Sequence, residues 1–125
     1  MIYGSEYFIS EFTELGYQPT IMKGNDNQTY AIFKDFEIEI GRFSGKIIDL
    51  GLLIMPDYPR MVHSSIHVRA NPQLFEKSDT LPGVRNIIDS GLGPEWLYWS
   101  LALKAVPSDT AKHLLSQING VFKRA

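Results

Sequence analysis

The chain has 125 residues, 44% of them hydrophobic and 21% charged, with a formal net charge of −2. That length and balance fit one globular domain spanning 1–125 and exclude a wholly disordered chain. Lys and Arg are scattered and no apolar run approaches the roughly 20 residues of a membrane span, so neither a nucleic-acid nor a membrane partner is expected.

There is no cysteine. No disulfide, thiolate ligand, cysteine nucleophile or thioester can therefore form on this chain. The opening MIYGSEYF lacks the basic-then-apolar pattern of a secretory leader. With the missing disulfides, this makes the cytoplasm the expected location. Asn27-Gln28-Thr29 matches the N-glycosylation triplet, which in a cytoplasmic protein is a chance match.

SEYFISEFTELG predicts a helix with Ser5 at its N-cap and Gly16 just past its end, and Phe8, Phe12 and Leu15 form its apolar face. TIMKGNDNQTYAIF predicts a hairpin turning at GNDN. FEIEI alternates, with Phe36, Ile38 and Ile40 inward and Glu37 and Glu39 outward. After the turn GRFSG, residues 47–54 (IIDLGLLI) predict a more fully buried strand, stopped by Pro56.

VHSSIHVRA predicts a strand with Val62, Ser64, Ile66 and Val68 on one face and His63, Ser65, His67 and Arg69 on the other. Residues 70–95, rich in proline and glycine, read as a long irregular segment with one helical turn near Val84 to Ile88. WLYWSLAL follows as a buried aromatic stretch. Ser108 or Asp109 caps a last helix with the stripe Ala111, Leu114, Leu115, Ile118, Val121 and Phe122. The expected fold is α+β: a four-stranded antiparallel meander with the N-terminal and C-terminal helices packed on one side.

Several residue sets invite a chemical reading. His63 and His67 lie four apart, but on a strand that spans about 13 Å, too far for one ion, so rim histidines are expected and no metal. His113 falls off the last helix's apolar stripe and is expected in solvent. Ser64, Ser65 and His67 with Asp57 or Asp89 supply triad residue types without a G-x-S-x-G elbow. Glu37 and Glu39 fit a solvated strand face better than an acid–base pair. GRFSG and GLGPE lack the ending and helix of a phosphate loop, so no cofactor is expected.

Trp96, Tyr98 and Trp99 divide between core and partner surface. With Leu74 and Phe75 they are the candidate partner-binding residues. Pro56, Tyr58 and Pro59 read as a rigid corner, with Tyr58 packing its ring on the sheet and its hydroxyl holding a backbone group.

The order of these landmarks resembles the ubiquitin-conjugating enzyme (UBC-like) fold. In that fold a helix precedes a four-stranded meander whose third strand ends in a proline–tyrosine–proline turn. The chain is most similar to the prokaryotic family E of that superfamily. The matching features are F-x-x-L-G (Phe12 to Gly16), I-x-P-x-Y-P (Ile54 to Pro59), His67 followed by N-P-x-L (Asn71 to Leu74), and W-x-x-W-S (Trp96 to Ser100). Asn71 and Pro72 are carried over as landmarks. Transfer enzymes of the family hold a catalytic cysteine after the fourth strand, preceded by His-Pro-Asn. This chain has neither, and Ser78, Thr80 and Ser90 are the oxygen nucleophiles nearby.

The resemblance therefore implies the scaffold without the transfer chemistry. It points to a non-catalytic interaction module in a bacterial ubiquitin-like conjugation or related defence pathway, binding a ubiquitin-like protein, an activating-type enzyme or another pathway component. Two alternatives stand beside it. One is a hydrolase or transferase of another class using His67 with a serine or carboxylate from residues 71–95, brought together beside a pocket. The other is a small toxin-neutralising or regulatory binding protein.

Overall fold

The spacing of Phe8 and Phe12 produces a helix, α1 (Gly4–Glu14), in a computed structural model that describes residues 3–104 and 109–125. Its N-cap is Tyr3, with no side-chain capping bond, so Ser5 does not cap it. Its end follows the glycine rule. Gly16 takes φ +94°, its N–H donates to the Thr13 carbonyl, and the Tyr17 N–H donates to the Phe12 carbonyl. The Tyr17 and Phe12 rings meet edge-on at 6.3 Å, the apolar contact that accompanies this stop.

Six strands follow: β1 (Thr20–Lys23), β2 (Thr29–Glu37), β3 (Ile47–Leu53), β4 (Ser65–Arg69), β5 (Asn86–Ser90) and β6 (Gly93–Ser100). They form one antiparallel sheet in the order β1-β2-β3-β4-β6-β5, and α2 (Thr110–Arg124) closes the chain. The sheet therefore has six strands, not four. The difference arises in residues 86–100, where the expected irregular segment and helical turn are instead a β-hairpin. Its isoleucines and alternating aromatics suit a pleated surface, and the bend falls at Gly91 to Gly93.

TYAIF runs on through Phe36 and Glu37, the start of FEIEI, as one strand, and Ile38 to Ile40 lie beyond its end. Phe33 and Phe36 are three residues apart, so a regular strand would turn them to opposite faces. A bulge restores them: Phe33 pairs with Leu50 and Phe36 with Ile48, leaving one extra residue in β2. Asp35 takes φ +55° there, and its N–H donates to Asp49 Oδ1 at 3.0 Å. Ile38 is fully buried, but Ile40 faces out at 41% exposure, contrary to the alternation. Ile47, at the start of β3, is also exposed.

Both helices contribute to one apolar core on one face of the sheet. Phe8 and Phe12 of α1 and Ile118 and Phe122 of α2 meet Phe33, Leu50, Ile66 and Trp99 there. The stripe of α2 is buried as expected, with Leu115 only partly covered. Asp109 sits at its N-cap without a side-chain bond, and Ser108 lies outside the described residues.

At the proline corner, the Tyr58 hydroxyl donates to Glu11 Oε1 at 2.8 Å and its ring packs on Phe8 at 5.0 Å. Tyr58 thus pins α1 through a carboxylate, where a backbone partner was expected. The Gly4 N–H donates to the Tyr58 carbonyl at 2.9 Å, tying the helix start to the same corner.

Candidate functional site

The face of the sheet away from the helices carries a second, smaller core of Tyr30, Ile32, Leu92 and Trp96, with Leu53 partly covered. The β5–β6 tip brings Leu92 over this face. The carbonyl of Gly91 accepts the N–H groups of Asn25 (2.7 Å) and Asp26 (3.3 Å) from the β1–β2 turn. The two turns therefore close on each other. Glycine suits the contact, because a Cβ on Gly91 would force the Asp26 carboxylate and the Tyr30 hydroxyl to shift. A Cβ on Gly51, in the strand beneath, would meet Leu92 at 2.8 Å.

His67 lies within this closure. It is 2% exposed, not a rim residue, and its Nδ1 is 2.7 Å from Ser90 Oγ. The Tyr30 and Tyr98 rings stand edge-on to its imidazole at 4.9 and 5.3 Å. Tyr30 donates its hydroxyl to Asp26 Oδ2 at 2.6 Å. Ser90 Oγ also accepts the Leu92 N–H at 3.0 Å, which leaves its own hydrogen for Nδ1 of a neutral imidazole.

The electrostatics follow from this packing. Burial pushes the His67 pKa down to about 4; His63 adds to the shift and Asp26 opposes it. Burial and the Asp26 carboxylate hold the Tyr30 hydroxyl well above its usual range. Burial acts to raise Asp26, but the Tyr30 and Gln28 hydrogen bonds outweigh it and leave the carboxyl below the ordinary range. A second pair lies at the start of the same strand: Nδ1 of His63, just before β4, is 2.7 Å from Ser65 Oγ, and Ser65 is 1% exposed. The void beside that pair measures about 10 Å³, at the limit of holding one water.

Ser90 and His67 have the residue types and separation of a nucleophile–base pair. Their setting serves that chemistry poorly. A base at about 4 is far below the value suited to proton abstraction at neutral pH. The Leu92 N–H beside the pair is already bonded to Ser90 Oγ. None of the depressions described on the molecule is lined by Ser90 or His67.

The largest of these, about 610 Å³, lies at the far end of the strands, where Lys34, Asp49, Arg69 and Glu95 line it. Arg69 is committed there: it bonds Asp49 at 2.8 and 3.0 Å and lies over the Trp96 ring at 4.7 Å. Burial acts to raise the Asp49 carboxyl, and the Asp35 N–H and Arg69 outweigh it and hold it below the usual range. No group of three or more metal-ligating side chains occurs among the described residues.

The five candidate partner-binding residues do not form one patch. Trp99 is buried in the helix-side core against Phe75 and Phe122, and Leu74 and Phe75 pack half-buried on that core. Trp96 and Tyr98 lie on the opposite face, Trp96 buried and Tyr98 half-exposed. Strand alternation makes the split. Pro56, Asn71 and Pro72 are exposed, and Pro59 half-buried. Asn27 is an exposed turn residue with φ +63°, and His113 is exposed.

The Ser90–His67–Tyr30–Asp26 set emerges only from the structure. The signal that could have found the hairpin beneath it is IIDS-GL-GPEWLYWS, two β-prone runs around a glycine-rich bend. Comparison of the chain with protein-family models, curated proteins and solved structures gives no match. No helix among the described residues is long and apolar enough to cross a membrane.

Proposed function

We propose that the protein is a non-catalytic interaction module on a UBC-like scaffold, acting in the cytoplasm within a bacterial ubiquitin-like conjugation or related defence pathway. Its partner on this reading is a ubiquitin-like protein or another component of that system. The observation that carries the reading is chemical: the chain has no cysteine, and its described serine–histidine pairs are buried fastenings.

The order of helix, β1–β4 meander and proline–tyrosine–proline corner supports the scaffold. The sheet departs from the implied four strands by adding β5 and β6 downstream of β4, in the part of the chain where transfer enzymes of that family carry their cysteine segment. Calorimetric titration against a ubiquitin-like protein and an activating-type enzyme tests the reading. It predicts reversible binding to at least one; no binding to any component contradicts it.

The 2.7 Å contact between His67 and Ser90 favours one second reading, a hydrolase or transferase using Ser90 as nucleophile. A fluorophosphonate probe with intact-mass readout separates the two. The interaction reading predicts no labelling, and labelling lost in Ser90→Ala would establish the enzyme.

A further inference from the structure

The sheet's two edges are treated differently. Outside β5, the Ser78 N–H donates to the Ile87 carbonyl at 3.0 Å and Lys77 pairs with Asp89 at 3.1 Å, so residues 77–78 shield that edge. On β1 all four residues are exposed, with Ile21 at 43% and Met22 at 42%. The β1–β2 register runs Thr20↔Ile32, Ile21↔Ala31, Met22↔Tyr30 and Lys23↔Thr29, and the Gly24 N–H donates to the Gln28 carbonyl. Alternation along an antiparallel ladder then turns the N–H and C=O of Ile21 and Lys23 outward. Among the described residues no hydrogen bond reaches them.

We infer that β1 is a docking edge for an extended segment of a partner protein, added as a seventh strand. This rests on the interaction reading and names its surface. The outward amides of Ile21 and Lys23 call for a strand's backbone. Ile21 shares a sheet face with Ala31 and the helices, whereas Met22 shares the other with Tyr30, so apolar residues on both faces of the incoming strand find a neighbour. Lys23 is the only charge on β1, so a carboxylate belongs beside it. Four residues of pairing bury far less than the ~1,200 Å² of a stable dimer, which favours a peptide segment over a second copy.

The test is selection of a displayed random heptapeptide library against the full chain, followed by binding to two variants. Ile21→Pro removes an outward N–H without breaking a ladder bond; Lys23→Glu reverses the charge and carries the test if the proline variant does not fold. Selected peptides should pair a carboxylate with adjacent apolar residues and bind at micromolar concentrations. They should weaken at least tenfold on either folded variant and slow amide exchange at Ile21 and Lys23 at least tenfold. Failure to select any peptide, or selected peptides that bind the variants as well as the parent, would overturn the edge and leave the interaction reading standing. So would a concentration-dependent dimer abolished by Ile21→Pro. Peptides that dock on β1, with no conjugation component binding in the titration, would keep the edge and remove the pathway.

Discussion

The two faces of the sheet are held by different means. The helix side is a wide apolar core in which Phe8, Phe12, Phe33, Trp99 and Phe122 stack edge and tilt against one another. The opposite face has four buried apolar side chains and a set of hydrogen bonds: the Asn25 and Asp26 N–H groups donate to the Gly91 carbonyl, Tyr30 donates its hydroxyl to Asp26, and Ser90 meets His67. Apolar burial is non-directional and tolerant of small shifts. A buried polar set stabilises only when every member is satisfied. The difference teaches that a serine and a histidine at 2.7 Å can be part of how a face is closed.

The largest effect should come from the apolar side. Phe12→Ala removes a fully buried ring and should cost about 3–5 kcal/mol of global stability, measured by urea unfolding. Next is pH. Unfolded His67 titrates near its ordinary 6.5 and folded His67 near 4, so the unfolded chain binds the extra proton between those values. Stability should therefore fall as pH drops from about 6.5 to about 4, by up to about 3 kcal/mol from this residue. His63, depressed by its own burial, adds in the same direction. Urea titrations across that range should show a shallower loss in His67→Gln.

Gly91→Ala should cost about 2 kcal/mol, because its Cβ meets the Asp26 carboxylate. Amide exchange should accelerate at Asn25 and Asp26 while α1 and α2 keep their protection. The smallest effect is Ser90→Ala, about 1 kcal/mol, since it removes the partner of His67 and of the Leu92 N–H. If Gly91→Ala or Ser90→Ala instead loosened the helices as much as Phe12→Ala does, the two faces would be one cooperative unit.

Much of the fold was legible where one periodicity dominated. Phe8 and Phe12, the α2 stripe, and Ile66 and Val68 facing away from His67 all follow from spacing alone. The β2 bulge was not legible, because the side chain that holds Asp35, Asp49, is 14 residues away in sequence. The β5–β6 hairpin was masked by the prolines and glycines around it. Glycine at 91 reads as loop composition, yet it serves a close approach that only the fold creates. The candidate site was harder still. His67 and Ser90 lie 23 residues apart, and their separation depends on the tip closing over the sheet. The aromatic run WLYW was expected to divide between core and surface, and strand alternation divides it instead between the two faces of the sheet.

The central claim is that this chain binds without transferring. Incubation with a ubiquitin-like protein, its activating enzyme and ATP, read by intact mass under denaturing conditions, tests it most directly. The account predicts the unmodified mass of the 125-residue chain and an identical result for Ser90→Ala. A covalent adduct on the parent chain that disappears in Ser90→Ala would contradict it.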